Sequence, residues 1–565
     1  MISIINKLWR RLALVIACAS VAACENVVPM ADEALALSDL DSLRVAGYEV
    51  SPQSVKEHFA KLATRNLSGT DTDVFLRKYY CGSEPRTAWI TPMGITADAD
   101  TLLSLLSDVA SHGVTAKLFP TSQIASDLEA FRSLDFKNAD INELVARLEF
   151  NLSKAYLLYT AGLRFGFASP YRSINTLDKS ADEVKRILGA SNFGLELEYP
   201  DSMFFAGALE KVRSREGFRE FVDSCMPQST FYAELQQKYA NHTASDTTAR
   251  AKYAANMERQ RWHIKDAPEN HQKYVLVNIP SYELWGVCPD SILNMKIVCG
   301  ATKTPSPILN SRIKRIDLNP QWYVPMSIIR KGLAHAGPGY FARNNMYFVT
   351  SGGQVKKYAT PAERMSGKVA IVQRGGSSNS LGRIIFRFDN RFSVYLHHTN
   401  APWAFQAGKR AISHGCIRLQ RPLDLARFVL SDSNQDKYDK IEYSFQCDLS
   451  SKDSTMFIKK VDLEPQIPVY LLYNTLFRAP GSNVVSEYAD VYGLDRKLYF
   501  KLMRIVDPID SARNANKEKS RQSGRTASPE RKKPSADSNR VSSPSSEHPS
   551  NNATVKREDD NKPTV

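Results

Sequence analysis

The chain has 565 residues, 43% apolar and 24% charged, with a formal net charge of +14. That length gives room for two or three domains with cores of their own, and the balance excludes wholesale disorder. The positive excess favours anionic surroundings such as nucleic acid, acidic lipid or an anionic cell wall. With no finger spacing, no aromatic ribonucleoprotein motif and no recognition helix, nucleic acid is not expected as a partner.

The N-terminus reads as an export signal over residues 1–24. Lys7, Arg10 and Arg11 precede the apolar run from Leu12 to Ala23, which ends in small residues and is too short for a comfortable membrane span. Val21-Ala22-Ala23-Cys24 also resembles a bacterial lipobox, in which acylation of Cys24 would anchor the protein to the membrane. The alternative is a simple cleaved signal with Cys24 incidental. Either way the expected location is the periplasm or cell envelope. Six cysteines follow: Cys81, Cys225, Cys288, Cys299, Cys416 and Cys447. Cys288 and Cys299 flank a predicted hairpin and could pair, and Cys81 and Cys225 share the N-terminal half; connectivity is open.

Residues 25–255 are expected to form a helical scaffold domain. Ile141, Leu144, Val145, Leu148 and Leu152 recur at three- and four-residue steps, placing them on one helix face. A second helix is predicted from Ala97 to Ser111, stopping near Gly113. Near Asn256 the character changes, and 256–507 reads as a β-rich domain. Its strand candidates are Tyr274 to Ile279, Met295 to Cys299, Ile384 to Phe388, Phe392 to His397 and Ile467 to Tyr473. A helix is expected after Pro422, carrying Leu423, Ala426, Val429 and Leu430. Residues 326–370, with Gly352-Gly353, form the longest irregular stretch. Beyond about residue 511 there is no Phe, Tyr, Trp, Leu, Ile or Met, so 508–565 reads as a disordered basic tail. It is either a loose electrostatic tether or simply solvated. The fold class is α+β.

The chemistry concentrates in Ser413-His414-Gly415-Cys416-Ile417-Arg418 and in Tyr395-Leu396-His397-His398 upstream. A cysteine beside a glycine, with a histidine on a separate strand, is what covalent catalysis by sulfur needs: a base for the thiol proton and room for a carbonyl. Side chains two apart on a strand share a face, so Tyr395 and His397 point one way and Val394, Leu396 and His398 the other. That places Tyr395 and His397 in the site and leaves His398 structural.

A histidine followed about fifteen residues later by Ser-His-Gly-Cys resembles the signature of bacterial L,D-transpeptidases with the YkuD-type catalytic domain. The flanks resemble the large YcbB-like branch: Asn256-Met257-Glu258-Arg259, Tyr274-Val275-Leu276-Val277-Asn278, Asn319-Pro320-Gln321-Trp322-Tyr323-Val324-Pro325, Asn379-Ser380-Leu381-Gly382-Arg383 and Asp490-Val491-Tyr492-Gly493. Arg418 after the Cys-Ile pair is a mark of that branch. The resemblance covers about residues 250–500, and more weakly the helical region before them. Departures are the missing peptidoglycan-binding helical module, His398 where an acidic residue is more usual, and the basic tail.

The resemblance implies that Cys416, as thiolate, attacks the third-residue carbonyl of a peptidoglycan tetrapeptide stem and expels the terminal D-alanine, with His397 as base. Gly415, His414 and Tyr395 would support the loop and the oxyanion, while Arg418 and Ser413 would bind substrate. Attack on the thioester by a second stem gives a 3→3 cross-link; water would trim the stem, and a D-amino acid would exchange. Stem peptides are the implied partners, carbapenem β-lactams the implied inhibitors, and no cofactor or metal is needed. The irregular stretch would be a mobile lid over the cleft or an ordinary surface loop. Two rivals remain: an inactive wall-binding protein, and a zinc site from His397, His398, His414 and Cys416, which strand alternation disfavours.

Overall fold

Asp140, itself extended, accepts the Asn142 N–H at 2.9 Å and caps a helix over Ile141–Phe165. Its buried side includes Ile141, Leu144, Val145, Leu148 and Leu152, the stripe that the periodicity predicts. The computed structural model describes residues 50–504 except 66–70, 83–85, 92–93, 135, 137–139, 169–191, 213–214 and 431–434. The segment expected to be an export signal, Cys24 and the basic tail lie outside the described residues. Among those described, no helix is long and apolar enough to cross a membrane. The chain divides into two units: residues 1–186, 198–245 and 257–263 in one, and 187–197, 246–256 and 264–565 in the other.

The first unit is helical, apart from the short antiparallel pair β1 (Ile90–Thr91) and β2 (Gly94–Ile95). Helices Pro52–Arg65, Asp71–Tyr80, Asp98–Ser107, Thr121–Ser133, Ser202–Lys211 and Arg215–Cys225 pack on Ile141–Phe165. The helix predicted from Ala97 to Ser111 is α-helical over Asp98–Ser107 and continues as a 3-10 turn, Val109–His112. Gly113 ends it at φ 74°, a left-handed conformation that glycine adopts without a Cβ penalty. Glu149 lies wholly buried on the central helix, its carboxylate accepting from the Tyr80 hydroxyl and from the N–H groups of Ala88, Trp89 and Ile90 at 2.6 to 3.1 Å. Four donors repay much of its desolvation cost.

The second unit is built on a ten-stranded sheet. Its strands are β3 (Phe193–Gly194), β4 (Tyr274–Asn278), β5 (Glu283–Cys288), β6 (Ser291–Gly300), β7 (Ile308–Leu318), β12 (Ile384–Phe388), β13 (Leu396–His397), β14 (Ala411–Ser413), β15 (Ile417–Leu419) and β16 (Lys460–Leu472). The order β12-β13-β15-β6-β5-β4-β16-β7 returns to β12 through the β12–β7 pairing, so eight strands close into a barrel. Closure removes the edges, while β3 and β14 pair with β7 and β6 outside the ring. The helix after Pro422 runs to Val429, with proline in its first turn and Leu425, Ala426 and Val429 buried. The hairpin β17 (Leu476–Arg478) and β18 (Val485–Glu487) follows the barrel.

Residues 322–373 are not irregular. They form a second, four-stranded sheet in the order β10-β9-β11-β8, from β8 (Trp322–Tyr323), β9 (Met346–Thr350), β10 (Val355–Lys356) and β11 (Val369–Gln373). Three six-residue helices, Met326–Lys331, Pro338–Arg343 and Pro361–Ser366, join them. Val324, Ile329, Phe341, Phe348, Val369 and Ile371 make a core of their own. This cap is a small folded layer and corrects the expectation of an irregular stretch.

The predicted strand from Phe392 to His397 is also shortened. Asn390 accepts the N–H groups of Phe392 and Val394 and donates to the Val394 carbonyl, and Ser393 turns at φ 54°. That side-chain turn competes with the ladder, so only Leu396–His397 remains strand. Neither disulfide forms: Cys81, Cys225, Cys288, Cys299, Cys416 and Cys447 are free thiols, with Cys81 exposed and Cys225 buried. Cys288 instead bonds to Ser291 across the hairpin turn at 3.1 Å.

Candidate active site

Strands β13 and β15 run parallel, with Leu396 opposite Ile417 and His397 opposite Arg418. The Ile417 N–H donates to the Tyr395 carbonyl at 3.1 Å, which carries the register back to Tyr395 and Cys416. Opposed residues share a face and alternate along the strand. Tyr395, His397, Cys416 and Arg418 therefore stand on one face, while Leu396 and Ile417, both fully buried, occupy the other. The structure thus brings together the four residues on which the sequence chemistry turned.

His397 is held from behind. Its Nδ1 lies 3.2 Å from the Leu381 carbonyl oxygen, which can only accept, so Nδ1 carries the proton and Nε2 is the bare nitrogen. Burial, with Ile385 directly opposite on β12, pushes the imidazole down to about 4, and the Arg418 charge adds to this. Cys416 is pushed up to about 11, again by burial first. Hydrogen bonds from the Tyr395 backbone and hydroxyl, and the charges of Arg418 and Arg387, pull the other way without overcoming it. Both shifts favour a thiol and a neutral imidazole as the resting pair at neutral pH, so the sulfur needs the base to give up its proton.

The loop carrying Cys416 is fastened by short hydrogen bonds. Gly415 adopts φ 123°, a region that side chains other than hydrogen rarely enter. A Cβ there would meet Val394 Cγ1 at 3.7 Å and the Pro305 oxygen at 3.9 Å, so the backbone angle, not crowding, requires glycine. The Ser413 hydroxyl donates to the Cys416 carbonyl at 2.7 Å and accepts the Gly415 N–H at 3.1 Å. Ser413 is buried, and both of these hydrogen bonds stay within the loop, where the sequence reading expected it at the substrate. The same bond engages the Gly415 N–H, narrowing the oxyanion donors expected there.

Behind the loop, Ser306 donates to the Gly415 carbonyl at 2.6 Å and accepts the Gly300 N–H at 2.9 Å. The Tyr492 hydroxyl donates to the Gly300 carbonyl at 2.7 Å and accepts the Ser306 N–H at 3.1 Å. Thr304 and Ala301 both donate to the Ser413 carbonyl at 2.9 Å. Tyr492 lay in a segment quoted for its resemblance but had no role; nothing in the sequence marked Ser306.

His398 lies apart from the site, its Nδ1 accepting the Arg383 N–H at 3.3 Å and its ring 5.0 Å from Phe445. His414 is exposed, and burial, Lys331 and Arg418 together lower its pKa. Lys331 ends the first cap helix, so the cap brings a cation to the mouth of the site. Arg387 leans on the Tyr395 ring at 5.6 Å and is ion-paired with Asp317. Arg418 is only partly exposed, and its buried Nε has no hydrogen-bond partner. Among the described residues no group of three or more His, Cys, Asp or Glu side chains is placed to hold a metal ion.

Residues 272–447 match the family described as the L,D-transpeptidase catalytic domain, YkuD, and residues 75–238 match a family described as the scaffold domain. The chain carries a YkuD-type L,D-transpeptidase catalytic domain and a scaffold domain. A curated protein of Haemophilus influenzae named "Putative L,D-transpeptidase" is 26% identical over 287 residues, which are 49% of this chain and 55% of that protein. The chain thus spans about half the length of the curated relative it matches. Among solved structures, an L,D-transpeptidase from Mycobacterium smegmatis is 15% identical, with 35% of this chain and 58% of that one covered and a TM-score of 0.16. L,D-transpeptidase 3 from Mycobacterium tuberculosis, in complex with a faropenem-derived adduct, is 12% identical over 36% of this chain and 60% of that one, with a TM-score of 0.18. Likenesses that slight support nothing further.

The catalytic domain so delimited contains the cap, the barrel strands β4–β7, β12, β13 and β15, the flanking strand β14, and all four residues of the shared face. Tyr492, which supports the Cys416 loop, and β16, which closes the barrel, lie C-terminal to the matched segment. The α+β architecture is the one the sequence predicts.

Proposed function

We propose that this protein is a peptidoglycan L,D-transpeptidase working through a thioester on Cys416. The observation that carries the reading is the shared face of β13 and β15, with Cys416, His397, Tyr395 and Arg418 on it and Leu381 orienting the base. As Cys416 attacks the third-residue carbonyl of a donor stem, an S–C bond forms and the thiol proton passes to Nε2 of His397. Collapse breaks the C–N bond, and the departing D-alanine amine takes that proton. An amine of a second stem then attacks the thioester, giving its proton to His397 and releasing the sulfur, which is reprotonated. The product is a 3→3 cross-link.

Because the resting thiol is protonated, attack and proton transfer are coupled. The Cys416 N–H and the Tyr395 hydroxyl are the donors suited to the oxyanion, and losing one such donor typically costs about 100-fold. Arg418, with its unpartnered Nε, suits a substrate carboxylate, and Lys331 adds positive charge at the mouth. Carbapenems would acylate the same sulfur. The reading takes residues 1–24 as an export signal, Cys24 as a lipid anchor and the cell envelope as the site of action; metabolic labelling with a fatty acid, lost in Cys24→Ala, tests the anchor.

The deciding experiment incubates the protein with a purified tetrapeptide-stem muropeptide and reads the products by mass spectrometry, with Cys416→Ala alongside. Dimers lacking one D-alanine, absent from the control, are the expected result. Tripeptide monomers alone would make the enzyme a carboxypeptidase. Absence of any Cys416-dependent product would overturn the catalytic reading in favour of a wall-binding protein.

A further inference from the structure

The Leu381 carbonyl that orients His397 is a backbone atom, so its aim depends on the turn that carries it. That turn is organised by Asn379, whose side chain is fully buried. Its Oδ1 accepts the Leu381 N–H at 2.8 Å, and its carbonyl accepts the Gly382 N–H at 2.8 Å. Its Nδ2 faces three carbonyls, those of Arg374 at 2.8 Å, Pro320 at 3.1 Å and Gln373 at 3.3 Å. Those acceptors lie at the end of cap strand β11 and just beyond barrel strand β7, so one amide ties the turn to both layers. Gln373, also buried, accepts the Ser380 N–H at 2.9 Å and donates to the carbonyls of Asn344 and Ser378. Gly382 turns at φ 66°, and a Cβ there would run into the His398 ring.

We infer that Asn379 is a positioning residue for the base: its side chain fixes the Ser380–Leu381 peptide, directly before the one that bears the Leu381 carbonyl, and so holds His397 in the tautomer whose Nε2 is free, while Gln373 links that turn to the cap. A buried amide with every polar atom engaged fixes a turn more firmly than alternation or packing can. An imidazole held in the wrong tautomer cannot take the thiol proton, however close the sulfur lies. The inference rests on His397 being the base of the proposed reaction. It also makes a statement about the free protein that holds whatever substrate is turned over.

The test is a ¹H–¹⁵N spectrum of protein labelled at histidine, with His397 assigned through His397→Gln. In the unsubstituted chain the His397 signals should report protonated Nδ1 and bare Nε2. Asn379→Ala should mix or reverse that pattern, lower activity at pH 7 by roughly 10-fold or more, and leave alkylation of Cys416 unchanged at high pH, where the thiol ionises without help. Asn379→Ser, which keeps an oxygen for the Leu381 N–H, should recover part of both losses. If Asn379→Ala fails to fold, Asn379→Ser and Gln373→Glu are read by the same criterion. An unaltered tautomer pattern in the folded variants overturns the inference. A protein without stem activity whose tautomer still shifts would overturn the proposed reaction and leave the positioning role standing.

Discussion

The hydroxyl of Ser413 donates to the carbonyl of Cys416 at 2.7 Å, folding the nucleophile's loop back upon itself. Because the same oxygen accepts the Gly415 N–H, one buried hydroxyl holds the peptide before Gly415 and the peptide after Cys416. Removing it should matter more for catalysis than for folding. Ser413→Ala leaves a buried N–H and carbonyl short of a partner, at a cost of about 1–3 kcal/mol. Chemical denaturation should show that loss, and turnover should fall by about 10-fold or more as the loop relaxes. Unchanged turnover would return Ser413 to the periphery.

Gly415→Ala separates angle from space. Its Cβ would meet only ordinary contacts, so any penalty comes from φ 123° and should be about 1–3 kcal/mol. A loop that escapes the strain by flipping would carry the Cys416 N–H away from the substrate. Activity should then fall steeply while melting temperature drops by a few degrees.

Reactivity of the free sulfur should be set by its burial. With the thiol pushed up to about 11, the thiolate fraction rises about tenfold per pH unit across the neutral and mildly alkaline range. Iodoacetamide alkylation of Cys416 should accordingly still be climbing at pH 10, with Cys416→Ala as the blank. A plateau near pH 7 would mean a resting thiolate and would contradict the electrostatics of the site.

Acid should weaken the fold through its buried imidazoles. His397 is pushed down to about 4 and His112 to about 3, both mainly by burial. Between pH 6.5 and those values the unfolded chain binds protons that the folded chain refuses, so stability is full above about 6.5 and falls as pH drops. The contribution of His397 alone is on the order of 3 kcal/mol. Urea midpoints measured from pH 7.5 to 4.5 should decline, and His397→Gln should flatten the slope.

Tyr492→Phe probes support at long range. Its hydroxyl is 186 residues in sequence from the Ser306 N–H it accepts, and Ser306 in turn holds the Gly415 carbonyl. Loss of that hydroxyl should cost about 1–2 kcal/mol and lower kcat more than it raises KM. Equal changes in both would point to a bystander.

Legibility followed the range of the interactions. The helix over Ile141–Phe165 announces itself because Ile141, Leu144, Val145, Leu148 and Leu152 recur at three- and four-residue steps. Strand alternation likewise assigned Tyr395 and His397 to one face, since that rule needs only the chain itself. The cap escaped notice because its strands are two to five residues long and its helices six, too short for either period to show. A serine beside a cysteine looks the same in sequence whether it faces substrate or its own loop, so only the structure shows the Ser413 hydroxyl bonded within the loop.

The sequence by itself singled out Cys416 and His397 as the residues proposed to react, the glycine before the sulfur and the division into a helical and a β-rich part, all of which follow from residue type and local spacing. Only the tertiary structure decided what surrounds them. It closed the barrel, folded the cap, set a backbone carbonyl at Leu381 against His397, and desolvated the Cys416 thiol enough to push it up to about 11. Backbone acceptors and desolvation belong to no residue in particular, so they exist only once distant segments have met.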